Sequence, residues 1–399
     1  MRNQAHSPWV TKVTGGYLRR ARSAARGRLK RNPSALFYNA RVKTWDVLIV
    51  GGGIIGLSLS IELRKRGANV LIVERGEPGR EASHAAGGML VDCPLETHAA
   101  LQALASASAR MYPEFAYELE VESGVKVDLR DHRAIVFPPQ EHAREWEKAL
   151  SECAVQGPKL AQVEPALADP NRHAFLLKER SVDPRALTAA ALKAAKNRGV
   201  DFSSGDEVTA VNLSDVQVTG VTTAKTSFLA DKVVNCAGPW SGQIGPHRFP
   251  TRPVKGQILC LASPSRELLK HVIRSPEVYL IPRSDGRILA GATVEEAGFD
   301  KRTDSATMLR FHRAAIALVP ELRNAKILED WAGLRPGTPD ALPILGATTT
   351  PGYYVATGHF RDGILLAPIT AQVMADVVTG VAPAHDFMPF SPSRFSSST

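Results

Sequence analysis

Two short apolar runs near residue 46 flank a segment whose apolar residues recur with helical spacing. The runs Asp46–Val50 and Asn69–Val73 read DVLIV and NVLIV, which is typical of strands buried on both faces of a parallel sheet. Between them, leucine and isoleucine recur from 57 to 63 and stop at the basic run Arg64–Arg66, which Gly67 follows. Basic residues in a last turn and a glycine just beyond it end a helix. The pattern therefore predicts a β-α-β unit.

The turn between the first strand and the helix carries a glycine motif. Residues 51–56 read GGGIIG, which fits G-x-G-x-x-G. In such a turn Gly51 permits the tight bend, Gly53 lets the backbone approach a diphosphate, and Gly56 allows the helix to pack closely on the strand. The helix N-terminus then offers free N–H groups to the diphosphate. Glu74, at the tip of the second strand, can accept hydrogen bonds from both ribose hydroxyls and would repel a 2′-phosphate. The unit indicates FAD or NAD rather than NADP, without choosing between the first two.

The segment after Glu74 favours a flavin. Residues 75–90 are dense in small residues and lack a strong periodicity, whereas a nicotinamide enzyme should have another strand–helix unit at this point. A loop of small residues suits a flavin that lies beneath the backbone. Gly87 and Gly88 would leave N–H groups free to face it.

The rest of the chain alternates between helical and strand patterns. The predicted elements are helices at His98–Ser123, His142–Val155 and Pro184–Arg198, strands at Ala134–Phe137, Val208–Leu213, Val216–Thr222 and Lys232–Asn235, and an antiparallel sheet within 253–294. The chain then returns to glycine loops at Trp331–Asp340, Leu342–Gly346 and Tyr353–Pro368, the last opening a final helix. Segments typical of cofactor binding thus lie near both ends of the chain and flank a sheet-rich insert.

The charge of the chain is concentrated at its start. The net charge is +9, but residues 1–44 hold eleven Lys or Arg and no acid, which leaves 38 basic and 40 acidic residues from Trp45 onward. This basic extension could be an organellar transit peptide, a tether to nucleic acid or an anionic membrane, or simply a disordered extension or an over-long start assignment. Because the fold begins at Thr44–Asp46, the third interpretation is favoured, and no firm nucleic-acid or membrane partner is predicted.

The cysteines indicate a reducing compartment. Cys93, Cys153, Cys236 and Cys260 form no CxxC or other metal-ligand spacing, so we expect reduced core residues, no metal site and a cytoplasmic protein. No apolar run approaches the roughly 18 residues of a membrane span.

Three motifs together carry a family resemblance. GGGIIG followed by Glu74-Arg75, WAGLRPGTPDALPILG at 331–346, and ATGHFRDGILLAPITA at 356–371 make the chain, from Trp45 to about Gly380, resemble the D-amino acid oxidase superfamily of flavoproteins. The two C-terminal motifs are most similar to the glycine oxidase branch, which serves thiamine biosynthesis. The resemblance implies an α/β fold: a Rossmann-like FAD-binding domain with an inserted antiparallel-sheet substrate domain.

This resemblance also implies a domain plan in which each domain is built from separate stretches. The predicted stretches are a basic, disordered extension (1–44), the FAD-binding domain (45–125, 181–250 and 331–385), the substrate domain (126–180 and 251–330) and a tail (386–399).

Cofactor contacts are implied residue by residue. Val208 would meet the adenine through its backbone, and the turn His359–Leu365 would lie along the isoalloxazine ring. The full implied set is Gly51, Gly53, Ile54, Ile55, Gly56, Glu74, Arg75, Ser83, Gly87, Gly88, Met89, Val208, Ala237, Gly238, His359, Phe360, Arg361, Asp362, Gly363, Ile364 and Leu365.

Substrate contacts follow from the same motifs. Arg335 would bind a substrate carboxylate, because a guanidinium donates two parallel charge-assisted hydrogen bonds; alone, it could equally cap a turn or pair with Asp340. Tyr279 would add a hydroxyl, and Arg361 would border the pocket. His359 is expected to pack beside the flavin, so no acid or base is nominated. Glu277, two residues before Tyr279, either biases the choice of amine or lies in solvent.

The implied activity is oxidative deamination of glycine, with sarcosine and small D-amino acids as further substrates. Hydride transfer to flavin N5 would give an imine and then a 2-oxo acid, and oxygen would reoxidise the flavin to give hydrogen peroxide. The alternatives are a D-amino acid or secondary-amine dehydrogenase with another electron acceptor, a flavoprotein whose basic extension docks nucleic acid, and a non-catalytic scaffold. A homo-oligomer is compatible with each of these.

Overall fold

A parallel sheet organises the N-terminal part of the fold. The computed structural model describes residues 43–395, so residues 1–42 of the basic extension and the last four residues of the tail lie outside the described residues. The central sheet has six strands, in the order Asp201–Ser204, Val70–Glu74, Val47–Val50, Val233–Asn235, Tyr353–Thr357 and Ile344–Ala347. Neighbours are parallel except for the last pair. The two apolar runs therefore lie side by side, as predicted.

Helices cover this sheet because their apolar faces need burial. The first helix, Ile54–Lys65, begins directly after the glycine turn and ends before Gly67, whose φ is +85°. It packs against Pro184–Asn197 and Ala367–Thr379. Asp183 caps the N-terminus of the helix Pro184–Asn197 by accepting hydrogen bonds from the amides of its first turn.

A larger sheet is formed by segments that lie, along the chain, between the first and the last strands of the central sheet. Its eight strands run in the order Lys326–Gly337, Arg252–Ala262, Arg287–Gly291, Tyr279–Pro282, Val272–Arg274, Ala134–Val136, Ala174–Leu177 and Ala154–Val155. All neighbours are antiparallel except Val272–Arg274 with Ala134–Val136. The sheet is thus mainly, but not wholly, antiparallel.

Several local predictions are wrong, and the glycine loops predicted at Leu342–Gly346 and Tyr353–Pro368 contain the strands Ile344–Ala347 and Tyr353–Thr357. Trp331–Gly337 was expected in a glycine loop, yet it completes the strand Lys326–Gly337, because pairing with Arg252–Ala262 supplies its backbone with partners. Its glycines allow close approach: a Cβ on Gly333 would lie 2.4 Å from the Cβ of Ala85. The expected helix His142–Val155 stops at Leu150 and gives way to a 3₁₀ turn and the short strand Ala154–Val155.

Smaller elements complete the described part. One four-stranded sheet contains Thr44–Trp45, Ser227–Ala230, Gln217–Thr223 and Val208–Ser214, and a three-stranded one contains Met89–Leu90, Arg180–Val182 and Leu129–Arg130. The remaining α-helices are Ala82–Ala85, Gln102–Ser123, Ala143–Leu150, Pro158–Val163 and Ser305–Leu318. Among residues 43–395, every helix is too short or too polar to cross a bilayer.

Candidate active site

One cavity brings most of the predicted site residues together. It has a volume of about 790 Å³ and is lined from both the central and the large sheet. The predicted residues on its wall are Gly51, Gly53, Ile54, Ile55, Glu74, Arg75, Ser83, Gly87, Gly88, Met89, Val208, Ala237, Gly238, Tyr279, Arg335, His359, Phe360, Arg361, Asp362, Gly363 and Ile364. Gly56 and Leu365 do not line the cavity. A Cβ on Gly56 would lie 2.1 Å from the carbonyl oxygen of Gly51, so this glycine allows tight packing, and Leu365 is buried in the core.

The glycine turn is shaped to receive a diphosphate. Gly51 has a φ of +106°, and a Cβ there would lie 2.5 Å from the carbonyl oxygen of Cys236. The helix has no side-chain cap at Gly53, although the amide of Ile54 donates to Ser83 Oγ at 2.9 Å. The bare backbone and the helix N-terminus form the cradle that a dinucleotide phosphate needs.

The carboxylate of Glu74 is held at the edge of the same turn. One oxygen accepts a hydrogen bond from the amide of Gly52 at 2.8 Å, and the other accepts from the amide of Gly76 at 2.9 Å. These two bonds fix its orientation at the tip of the strand Val70–Glu74, where a ribose would lie. Each oxygen keeps a lone pair for a ribose hydroxyl. The residues present therefore fit an FAD.

The turn 359–363 is anchored from behind. Phe360 has a φ of +46°, and its amide donates to Pro336 O at 3.0 Å. Two buried side chains of the helix Gln102–Ser123 bind the following carbonyls: Tyr112 donates to Ile364 O, and Ser108 donates to Leu365 O. The strained backbone is thus held in place by its surroundings.

His359 is buried beside this turn, and its Nε2 lies 3.1 Å from Thr370 Oγ1. Burial lowers the pKa of His359 to about 3. The imidazole is therefore neutral and a poor base at neutral pH, which agrees with the absence of a nominated base.

This buried histidine should make the protein sensitive to acid. Between pH 3 and 6.5 the unfolded chain binds a proton at this position that the folded chain does not, so stability rises with pH in that window. We expect the free energy of unfolding of the His359→Asn variant to fall less steeply than that of the wild type between pH 6 and pH 4. The two slopes should differ by up to about 1.4 kcal/mol per pH unit. Urea unfolding of both proteins across that range measures the difference; equal slopes would contradict a neutral His359.

Arg335 is a guanidinium without an acidic partner. It lies on the strand Lys326–Gly337 and lines the cavity, and Nη1 donates to Lys255 O at 3.3 Å and to Thr293 O at 3.0 Å. Within residues 43–395 no carboxylate forms an ion pair with it. Asp340 instead pairs with Arg394, at 2.8 Å. Burial lowers the pKa of Arg335, but arginine stays charged at neutral pH.

Gly256 makes room for this guanidinium, and no motif in the sequence pointed to it. It lies on the adjacent strand Arg252–Ala262, and a Cβ there would lie 2.4 Å from both terminal nitrogens of Arg335. The side chain of Arg335 thus packs across bare backbone.

Replacing Gly256 with alanine should therefore disturb the site without unfolding the protein, because the clash is with the flexible end of a side chain. We expect the KM for the carboxylate substrate to rise by about tenfold, the effect of roughly 1.4 kcal/mol. Steady-state kinetics measures this, with Gly245→Ala as the control, since a Cβ on Gly245 meets no heavy atom within 4 Å. Equal KM values for the two variants would show that Gly256 does not position Arg335.

Tyr279 lies close to Arg335 in the cavity wall. A Cβ on Gly291 would lie 3.1 Å from its hydroxyl oxygen, and one on Gly87 would lie 3.2 Å from it. The lack of a side chain at both glycines therefore makes room for the hydroxyl. Burial raises the pKa of Tyr279 to about 12, against the opposing charge of Arg335. The hydroxyl therefore stays protonated and can donate to a carboxylate.

Arg361 and Asp362 line the cavity, whereas Glu277 lies outside it. Arg361 is exposed at its border, and burial raises the pKa of Asp362 to about 6 despite the neighbouring Arg361. Glu277 is exposed: it accepts from Ser275 Oγ at 2.8 Å and lies 3.9 Å from Arg172, outside the lining. Of the two interpretations of Glu277, the structure favours solvent.

Arg75 has a partner that the sequence did not suggest. Its guanidinium lies 3.6 Å from the ring centre of Trp240, which in turn stacks on Phe299 at 5.3 Å. Trp240 follows the small-residue turn Ala237–Pro239 and also lines the cavity. A cation over an indole face is stabilising, so this contact holds together two residues of the cavity wall.

Within residues 43–395, a glycine turn on a parallel sheet and a guanidinium without an ion-pair partner on a second sheet line one cavity, as expected of a dinucleotide-dependent enzyme. The chain belongs to the family described as FAD dependent oxidoreductase, whose sequence model matches residues 46–377. FAD is accordingly its cofactor.

Individual relatives are similar over most of the chain. A glycine oxidase of Pseudomonas putida is 33% identical over 364 residues, covering 87% of this chain and 98% of that protein. A bifunctional protein ThiO/ThiG of Nostoc is 35% identical, and the match covers 84% of this chain but only 53% of that protein, so the chain spans about half of it. The crystal structure of a glycine oxidase from Geobacillus kaustophilus matches with a TM-score of 0.83 at 31% identity, covering 88% of this chain and 99% of that one. The predicted family and fold class are thereby confirmed.

Proposed function

We propose that the chain oxidises glycine, and with it sarcosine and small D-amino acids, to the imine, which water hydrolyses to the 2-oxo acid and ammonia (methylamine from sarcosine). Oxygen is the final electron acceptor and is reduced to hydrogen peroxide. The observation that carries this proposal is the unpaired guanidinium of Arg335 beside the Tyr279 hydroxyl, on the wall of the cavity that the glycine turn also lines. The similarity to glycine oxidases supports it.

The chain's own residues bind and orient the substrate. The carboxylate accepts hydrogen bonds from Arg335 and from the Tyr279 hydroxyl, which together fix both its position and its rotation. FAD, when bound, accepts the hydride from the substrate Cα. Arg335 and Arg361 also make this end of the cavity positive, which favours the neutral amine over the ammonium ion. No side chain is needed as a base, and His359 is too weak a base to be one.

The implied cofactor contacts remain part of the proposal. The backbone at Gly51–Gly53 would hold the diphosphate, Glu74 would hold the ribose, and the turn His359–Ile364 would lie along the isoalloxazine. The similarity to the bifunctional ThiO/ThiG proteins supports a further proposal, that the oxidised glycine supplies thiazole synthesis for thiamine.

Anaerobic mixing of the FAD-loaded protein with amines tests the activity. We expect glycine and sarcosine to bleach the flavin absorbance, D-alanine to do so more slowly, and peroxide to form once air is admitted. If no amine bleaches the flavin, the proposed activity is wrong. If bleaching occurs but no peroxide forms in air, the chain is a dehydrogenase with another acceptor.

A further inference from the structure

A row of side chains crosses the large sheet at the cavity. Tyr279 is paired with Gly291 on one neighbouring strand and with Arg274 on the other. Directly opposed residues share one face of a sheet, and adjacent strands lie about 4.8 Å apart. The strand of Arg335 lies on the Gly291 side. Arg274 is therefore one strand beyond Tyr279, on the side away from Arg335.

Arg274 is the centre of a buried cluster at that end. It is only 8% exposed, yet it lines the cavity. Nη2 donates to both carboxylate oxygens of Glu179, at 2.8 and 2.9 Å, and Nη1 donates to Glu96 Oε2. Glu96 comes from the loop after Met89–Leu90 and also lines the cavity, next to Thr97. Three separate segments thus bring two carboxylates and one guanidinium together.

The cluster has bonding capacity left over. Arg274 Nε is buried and has no hydrogen-bond partner among residues 43–395. Glu96 binds Arg274 through Oε2 alone, and its side chain is 33% exposed. One carboxylate oxygen of Glu96 therefore remains for a donor inside the cavity, whereas the buried Arg274 Nε faces away from solvent.

The charge of the cluster is not balanced. Two carboxylates face a single guanidinium, although burial raises the pKa of Glu179 to about 7 and so reduces its charge near neutral pH. Arg335 and Arg361 make the opposite end of the cavity positive. The two ends of the cavity therefore differ: the end with Arg335 is positive, and the end beyond Tyr279 presents the Glu96 carboxylate, backed by the buried Glu179.

We propose that Glu96, held in place by Arg274, forms a second subsite, which binds a substrate substituent that ends in an ammonium or another hydrogen-bond donor. This inference rests on the proposed function, since it takes Arg335 as the carboxylate site. Substrates longer than glycine, either D-amino acids or N-substituted glycines with a donor at the far end, then reach both sites. A second carboxylate is repelled by Glu96, which disfavours diacids.

Carboxylates without an α-amine test the subsite directly, because they bind but cannot be oxidised as amino acids. The probes are 5-aminopentanoate, hexanoate and glutarate, titrated into the FAD-loaded protein while the flavin absorbance is followed. They share a carboxylate and differ in the far end, which is cationic, apolar or anionic. We expect 5-aminopentanoate to bind about tenfold more tightly than hexanoate, and glutarate to bind most weakly.

The variant Glu96→Gln keeps an oxygen for Arg274 but removes the charge. It should reduce the preference for 5-aminopentanoate over glutarate to about threefold or less. Glu122→Gln is the matched control: Glu122 pairs with Arg198 outside the cavity, so this variant should keep the wild-type preference. If Glu96→Gln does not fold, the order of the three probes in the wild type still decides.

The outcomes separate this inference from the proposed function. Equal binding of the three probes, or an unchanged preference in Glu96→Gln, overturns the subsite even if glycine bleaches the flavin. If Glu96→Gln weakens glycine and 5-aminopentanoate equally, Glu96 acts through a general field, and the subsite is again wrong. If no carboxylate binds and no amine bleaches the flavin, the proposed function fails, and the inference falls with it.

Discussion

Replacing Arg335 with alanine is expected to lower kcat/KM for glycine by about a thousandfold, because two charge-assisted hydrogen bonds contribute roughly 4 kcal/mol together. The guanidinium is largely buried, has no acidic partner within residues 43–395 and lies beside Tyr279. In the Arg335→Ala variant the substrate carboxylate loses more binding free energy than it would at a protein surface, because little water is available to replace the lost hydrogen-bond donors. Steady-state peroxide formation in air and anaerobic flavin bleaching both measure the effect.

Two companion variants make the Arg335 result specific. Arg335→Lys keeps a positive charge but not the paired donors, so it should recover only a small part of the activity. Arg361→Ala removes an exposed guanidinium at the border, and we expect a loss of about threefold, as for other solvent-exposed charges. A loss in Arg361→Ala as large as in Arg335→Ala would mean that the carboxylate binds at the border instead. Flavin content must be equal in all three proteins for the comparison to hold.

Replacing Gly51 with alanine should remove FAD almost completely. The φ of +106° at this position strains any other residue, and the new Cβ would lie 2.5 Å from the carbonyl oxygen of Cys236, which is backbone and cannot turn aside. The turn must then move away from the strand Val233–Asn235, and the diphosphate cradle is lost. We expect the flavin bound per protein to fall below about one tenth, since strain alone costs about 1–3 kcal/mol and the clash adds to it. The ratio of flavin to protein absorbance after purification measures this.

Gly67→Ala is the matched control for that experiment. Gly67 lies just beyond the other end of the same helix with a φ of +85°, and a Cβ there meets no heavy atom within 4 Å. It therefore carries the conformational strain without the clash. We expect a loss of stability of about 1 kcal/mol and full flavin content. Should both variants lose FAD alike, backbone strain rather than contact with Cys236 would be the cause.

The elements that sequence alone could predict are those with local causes. The helix Ile54–Lys65 follows from leucine spacing, its glycine start and its basic end, and Pro184–Asn197 follows from the Asp183 cap. The strand Lys326–Gly337 was missed, because its glycines suggested a loop and only its partner strand makes it extended. Local propensity is weak evidence where a neighbour supplies the hydrogen bonds.

The site shows the same limit. Arg335 and Tyr279 were found because they stand in motifs. Gly256 and Arg274 were not, because what matters about each is the residue it faces on an adjacent strand. Register across a sheet depends on long-range pairing, and a single sequence carries no signal for it at these positions. The partner of Asp340, Arg394, lies 54 residues further along the chain and was missed for the same reason.

The order of strands in the central sheet has a consequence for how the protein is made. The strand Val47–Val50 is flanked on one side by Val233–Asn235, which in turn pairs with Tyr353–Thr357. A ribosome releases the glycine turn first, and Arg335 and His359–Ile364, which line the same cavity, emerge only after most of the large sheet. The growing chain therefore has no complete cavity until the ribosome has passed Ile364. We accordingly expect FAD to bind late in biosynthesis, after the C-terminal part of the cavity wall has folded.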